Sequence, residues 1–267
     1  MEAPIGVFDS GIGGLTVLAA LLQALPHERF VYLGDTARLP YGTKSAHSVA
    51  RYAVQAAQAL VARGVKCLVV ACNTAASVGL DAVRAHTGGL PVIGVIEPGA
   101  QAACAATRSG HIVVIATEAT VRGGAYERAI LQRRATARVV QLPTQLLVAL
   151  AEEGLVEGPV AAAVVSHYLG PVFAQDPPDT LVLGCTHFPV LAPTIRQIVG
   201  PQVRIVDSAL TTAVAVREQL LAAGVSRRSG AQSVQFIATD GAERFARVGS
   251  RFLGRAIDAR RIEVIDL

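Results

Sequence analysis

Leu68-Val69-Val70-Ala71-Cys72-Asn73-Thr74 is one of two matching passages in this chain. The other, Leu181-Val182-Leu183-Gly184-Cys185-Thr186-His187, lies 113 residues further on. Each is an apolar run without polar alternation, followed by a small residue, a cysteine and polar side chains, after which the pattern turns helical. Such a run reads as a strand buried on both faces, as in parallel sheets covered by helices. The runs at residues 67–71 and 180–183 have eight companions, at 5–8, 30–33, 92–95, 111–115, 138–141, 203–206, 234–238 and 262–265. Between them lie alanine- and leucine-rich segments of helical spacing. Two of these, 45–63 and 209–223, stop at Gly64 and Gly224, in the usual manner of helix ends. The fold class is therefore α/β. Ten strands fit one wide sheet or two smaller ones. The repeated passage favours two similar lobes, each a mostly parallel sheet flanked by helices and each supplying one strand-end cysteine.

Composition narrows the function classes. The 267 residues are 52% hydrophobic with a mean hydropathy of +0.45, enough for a substantial core. No apolar run reaches the roughly 18 residues of a membrane span; the stretch 15–25 is broken by Gln23 and closed by Pro26. Met1-Glu2-Ala3-Pro4 lacks a basic n-region and Asp9 interrupts any signal-like h-region, so the expected compartment is the cytoplasm. The net charge is +4 and the pI 9.1, but the basic residues are scattered in pairs such as Arg133-Arg134 and Arg227-Arg228, and aromatics are only 4%. That describes a solvated basic surface, with neither a nucleic-acid nor a membrane partner expected. Cysteines at 67, 72, 104 and 185 form no Cys-x-x-Cys, which argues against a disulfide framework and a structural zinc. Lys44 and Lys66 are the only lysines, against 22 arginines, and neither follows a strand. A Schiff-base cofactor such as pyridoxal phosphate is not expected.

In open α/β sheets, ligands bind beyond the carboxyl ends of the strands. Asp9-Ser10, Cys72-Asn73-Thr74 and Cys185-Thr186-His187 all fall there. A cysteine at that place meets the N-terminus of the next helix, whose free N–H groups and dipole are expected to lower a thiol pKa and to hold carboxylates. Asn73, Thr74 and Thr186 add side-chain donors. By contrast Cys67 and Cys104 sit in apolar surroundings and read as small core residues. Asp9-Ser10-Gly11-Ile12-Gly13-Gly14 has the spacing G-x-G-G, not the dinucleotide G-x-G-x-x-G, so its glycines are expected to admit a small ligand close to the backbone.

Four motifs carry a family resemblance over nearly the whole chain. They are Gly6-Val7-Phe8-Asp9-Ser10-Gly11-Ile12-Gly13-Gly14-Leu15-Thr16-Val17, Gly34-Asp35-Thr36-Ala37-Arg38-Leu39-Pro40-Tyr41-Gly42, Ala71-Cys72-Asn73-Thr74-Ala75 and Gly184-Cys185-Thr186-His187-Phe188-Pro189. In order and spacing the chain resembles the glutamate racemases of the cofactor-independent aspartate/glutamate racemase superfamily. The resemblance implies a first lobe of residues 1–95 plus 207–267, a second of 96–206, an active site in the interlobe cleft, and a homodimer. It implies no cofactor and no metal. It assigns Cys72 and Cys185 to proton exchange on opposite faces of the substrate α-carbon, with Asp9 assisting Cys72 and His187 assisting Cys185. Asp9, Ser10, Tyr41, Gly42, Asn73, Thr74, Thr117, Thr120, Thr186 and His187 match substrate-contacting positions. Glu152 matches a family acid near the histidine, the alternative being an exposed glutamate beside Glu153. The implied reaction interconverts L- and D-glutamate, with Cys185 acting on the L and Cys72 on the D enantiomer, and supplies D-glutamate for peptidoglycan. Two departures stand out: Phe188 replaces a tyrosine, and the stretch before Leu146 lacks the family's Cys-Pro. Two chemical points fit the assignment. Inversion without an electron sink needs oriented donors for the developing carbanion and a second acid on the opposite face. A lone Cys-x-His suits a histidine tuning its thiol better than a zinc site. Rival readings are a related racemase or decarboxylase acting on another acid, a silent binding module, and a thiol redox protein.

Overall fold

The computed structural model describes residues 2–267. Each of the ten expected strands forms, with ends within two residues of the apolar runs. They are β1 (Ile5–Asp9), β2 (Arg29–Gly34), β3 (Cys67–Val70), β4 (Val92–Gly94), β5 (His111–Ala116), β6 (Arg138–Pro143), β7 (Thr180–Gly184), β8 (Arg204–Asp207), β9 (Ser233–Ala238) and β10 (Ile262–Val264). Every pairing is parallel. One sheet runs β10-β9-β2-β1-β3-β4 and the other β6-β5-β7-β8. The protein is a two-lobed α/β fold.

The four-stranded sheet repeats the order found inside the six-stranded one: second, first, third, fourth. In that order the chain winds one way from the first strand to the second and the other way to the third. The first and third strands therefore flank the reversal point, where a crevice opens at the carboxyl edge. Cys72 follows the third strand of one quartet and Cys185 the third strand of the other. Asp9 ends the first strand of one, and Thr117 follows the first strand of the other. The seven-residue repeat in the sequence is thus the trace of a repeated winding order.

Residues of β1, β3, β5 and β7 are buried along their whole length, which is why these strands show no polar alternation. Each such aliphatic side chain contributes roughly 1.5–3 kcal/mol when fully buried. The register levels the carboxyl ends: Phe8 pairs with both Leu33 and Val70, and Ile115 with both Leu142 and Leu183.

The helix expected at 45–63 is Ala46–Val61, started by Ser45, whose hydroxyl accepts from the Ser48 N–H. The one expected at 209–223 is Ser208–Ala222, capped by Asp207. It packs against Leu15–Ala24 beside the six-stranded sheet and against Ile96–Ala106. The chain then returns to the first sheet, adding β9 and β10 beyond β2.

Two expectations need adjustment. Cys72 opens a helix, Asn73–Val78, but Cys185 is followed by a 3-10 turn, Phe188–Leu191, before the helix Ala192–Val199 begins. Pro189, with no N–H to give and a fixed φ, suits a tight opening turn. Cys67 is fully buried, whereas Cys104 lies at the rim of the core, its thiol directed at the Ile130 carbonyl at 3.7 Å. Among the described residues, no helix is long and apolar enough to cross a membrane.

Candidate active site

The carboxyl edges of the two sheets face each other across a narrow cavity. Ser10, Tyr41, Gly42, Cys72, Asn73 and Thr74 line it from one side, and Thr117, Cys185, Thr186 and His187 from the other. Of the remaining residues singled out in the sequence, Asp9 is fully buried below the Gly-rich turn, Thr120 stands behind Thr117, and Glu152 stands behind His187. Pro40, Gln145 and Val148 also line the cavity and were not anticipated. Gln145 directly precedes Leu146, where the family pattern breaks, and its Oε1 is buried without a hydrogen-bond partner. Neither lysine lines the cavity: Lys66 pairs with Glu28 at 2.7 Å, at the start of β3.

Cys72 is 4% exposed and caps its helix, the Ala75 N–H donating to Sγ at 3.4 Å while the thiol is directed at Ser10 Oγ, also at 3.4 Å. The expected lowering of its pKa does not occur. Burial, and next the charge of Asp9, push the Cys72 thiol up to about 12. A six-residue helix offering one N–H to sulfur does not offset the loss of hydration. Asp9 itself is pushed up by burial, against the opposing pull of His187 and of the N–H groups of Gly14 and Gly11. Gly11 N–H donates to Asp9 Oδ2 at 2.9 Å, and Thr186 Oγ1 reaches Oδ1 at 3.5 Å.

Around Cys185 the surroundings are charged. His187 Nδ1 lies 3.7 Å from Cys185 Sγ, and His187 Nε2 lies 3.2 Å from Glu152 Oε1. Glu152 is therefore not a free helix-end glutamate; its Oε2 also accepts from Arg244 Nη2 at 2.9 Å. Burial opposes a charge on His187, but the hydrogen bonds to Cys185 and Glu152, with the charges of Cys185 and Asp9, raise it to about 10. The bond from His187 holds Glu152 down at about 2, against burial and with help from Arg244. An edge-on contact from Phe252, 5.2 Å between ring centres, fixes the imidazole plane.

Between the two thiols the walls offer neutral donors. Thr74, Thr117 and Thr120 hydroxyls form a triangle with edges of 2.8, 3.1 and 2.9 Å. Asn73 Oδ1 accepts from Tyr126 OH at 2.7 Å, which leaves the buried Asn73 Nδ2 without a partner. The Tyr41 phenol is engaged by Asp35, so it is the Pro40-Tyr41-Gly42 backbone that it anchors at the cavity wall. Gly13 departs from its expected role beside a ligand. A Cβ there would overlap His187 Nδ1 and Thr186 Oγ1, so the missing side chain lets the two lobes meet. Thr16 Oγ1, three residues on, donates to the Thr186 carbonyl at 2.9 Å.

Comparison with known proteins identifies the family. The family model described as Asp/Glu/Hydantoin racemase matches residues 5–216. A glutamate racemase of Geobacter metallireducens is 47% identical over 251 residues, which are 94% of this chain and 92% of that protein. Among solved structures, the glutamate racemase of Francisella tularensis in complex with D-glutamate superposes with a TM-score of 0.92 at 34% identity, covering 99% of this chain and 98% of that one. The Thermus thermophilus glutamate racemase in complex with β-chloro-D-alanine gives 0.88 at 41% identity, covering 100% and 98%. Sequence, winding order and cavity thus point to one group of isomerases, and the chain belongs to the Asp/Glu/Hydantoin racemase family.

Proposed function

We propose that the chain interconverts L- and D-glutamate by transferring one proton at the α-carbon between Cys72 and Cys185. The observation that carries the reading is the placement of two thiols at equivalent strand ends of two facing sheets, lining one cavity. Cys72 rests as a thiol, held up by burial. The His187 imidazolium, raised against burial by its hydrogen bonds to Cys185 and Glu152, lies beside the Cys185 sulfur, and the reaction of L-glutamate starts with that sulfur as the thiolate.

From that form, the Cys185 thiolate takes the α-proton of L-glutamate. The S–H bond forms as the C–H bond breaks, and the electron pair passes into the α-carboxylate. Cys72 then gives its proton to the opposite face, forming the new C–H bond and leaving the Cys72 thiolate. The return reaction starts from that exchanged form with D-glutamate. Asn73 Nδ2 and the threonine hydroxyls are donors already fixed in place for the carboxylate that gains charge. Each oriented donor of this kind contributes about 10²–10³-fold in rate. Asp9, buried next to Gly11 and Thr186, tunes the Cys72 side and the substrate ammonium. Ser10, Tyr41, Gly42 and Thr186 complete the substrate contacts.

The lobes are taken as residues 1–95 with 207–267, and 96–206. Family membership supports a homodimer in the cytoplasm that supplies D-glutamate to peptidoglycan.

The test is incubation of the purified chain with L-glutamate, and separately L-aspartate, in D2O, followed by circular dichroism and α-proton NMR. Glutamate loses its optical signal and acquires α-deuterium, while aspartate does not. Racemisation of aspartate at a similar rate would overturn the substrate assignment.

A further inference from the structure

The helix Ala242–Leu253 packs on the six-stranded lobe through Phe245, set against Tyr32 and Phe236, and Gly249, which lies close to Leu15. Its other flank crosses to the four-stranded lobe. Arg244 binds the Glu152 carboxylate, and Arg251 Nη1 reaches the Glu152 carbonyl at 3.4 Å. Phe252 meets the edge of His187. Positions 244, 251 and 252 lie two turns apart on one helical stripe, so a single rigid element addresses the acid and the imidazole together.

The polar contacts form a chain, Arg244 to Glu152 to His187 to Cys185, with links of 2.9, 3.2 and 3.7 Å. It runs inward from an arginine side chain 43% exposed, through Glu152 at 17% and His187 at 10%. The arginine belongs to one lobe, and the other three groups belong to the other. We propose that Arg244 is a positioning residue that aligns Glu152 on His187 across the two lobes, so that the charged support of the Cys185 thiol depends on the lobes staying together. The inference rests on the reading above, in which Cys185 is an acid–base group.

With one oxygen held by Arg244, the other oxygen of Glu152 is left to face Nε2. Without the arginine, the carboxylate is free to rotate toward water and loses one of the two cationic partners that hold it ionised, His187 being the other. The charged and titratable groups facing the His187–Glu152 pair are Cys185, Asp9 from β1, and Arg244 and Arg251 from the C-terminal helix. The backbone contact of Arg251 and the packing of Phe252 do not depend on Arg244, so the helix keeps its place in the variant.

The test compares wild type, Arg244→Gln and Arg244→Lys in the full chain, measuring kcat and KM for both enantiomers across pH, with thermal unfolding alongside. Enantiomers have equal free energy, so kcat/KM must fall equally in both directions. For Arg244→Gln the expected loss is about 10-fold and resides in kcat, because the arginine orients a partner and does not touch substrate. The acid limb of the profile moves up by about one pH unit as Glu152 loses a cationic neighbour, and lysine restores it. Unchanged activity in Arg244→Gln, or a loss with the acid limb unmoved, would overturn the inference while leaving the racemase reading intact. A wild-type chain inert on both enantiomers would overturn both.

Discussion

The two halves of the cavity are built on the same winding order and hold the same reactive atom, yet they support it by different means. Cys72 sits at a helix start, beside a hydroxyl, with a buried carboxylate near by, and is kept protonated. Cys185 sits before a 3-10 turn and is backed by a histidine, a glutamate and an arginine. The substrates of a racemase are mirror images of equal energy, and nothing in the chemistry demands this asymmetry. On the two-thiol reading, its use is to tell the two thiols apart. A two-thiol site works only with one thiol and one thiolate, and two identical surroundings would leave that choice open. Unequal surroundings separate the two, Cys72 being the side that burial keeps protonated.

The harshest way to break the comparison is to delete each thiol in turn. Cys72→Ala and Cys185→Ala are each expected to lower racemisation by about 10⁴-fold or more, the upper end for a positioned acid or base. Full turnover in either variant, measured by polarimetry, would end the two-thiol account. A sharper comparison sets His187→Gln against Asp9→Asn. The histidine supplies a charge next to its thiol, and its removal is expected to cost about 10²–10³-fold in kcat/KM. Asp9 is pushed toward neutrality by burial, so Asp9→Asn should cost about 10-fold less than that. Equal losses would show that the charged chain is not what distinguishes the halves. In wild type, activity that depends on the imidazolium should decline as pH rises through about 10, the value to which His187 is raised, and this limb should vanish in His187→Gln.

The smallest effect is on stability. Glu152 is depressed from 4.5 to about 2, so its contribution is fully present above pH 4.5 and is lost as pH falls through 2. Urea unfolding of wild type and Glu152→Gln should differ by at most about 3 kcal/mol near neutrality and converge toward pH 2. A difference that does not shrink on acidification would place the effect in packing and not in charge.

The strands were legible because burial on both faces leaves unbroken apolar runs, and Gly64 and Gly224 marked helix stops that the chain indeed uses, at φ of 70° and 67°. The cavity's polar residues were legible because they sit at strand ends in recognisable motifs. The state of Cys72 was not: a motif records the helix start but not the depth of burial, and depth decides the pKa here. Arg244 was hidden for another reason. It lies on an exposed helical face 92 residues from Glu152, and sequence spacing cannot announce a contact made across two lobes. Gln145 carried no signal beyond a broken pattern.

The return of β9 and β10 to the first sheet has a consequence for biosynthesis. β2 finishes at Gly34, but its neighbour β9 begins only at Ser233. At about 5–20 residues per second, roughly 10–40 s of translation separates the two. During that interval the hydrogen-bonding edge of β2 is unpaired, the kind of edge on which chains associate wrongly. The four-stranded sheet, complete by Asp207, can be finished on the ribosome before the six-stranded one. The nascent enzyme therefore acquires its Cys185 half as a finished unit first, and the segment that carries Arg244 is among the last to arrive.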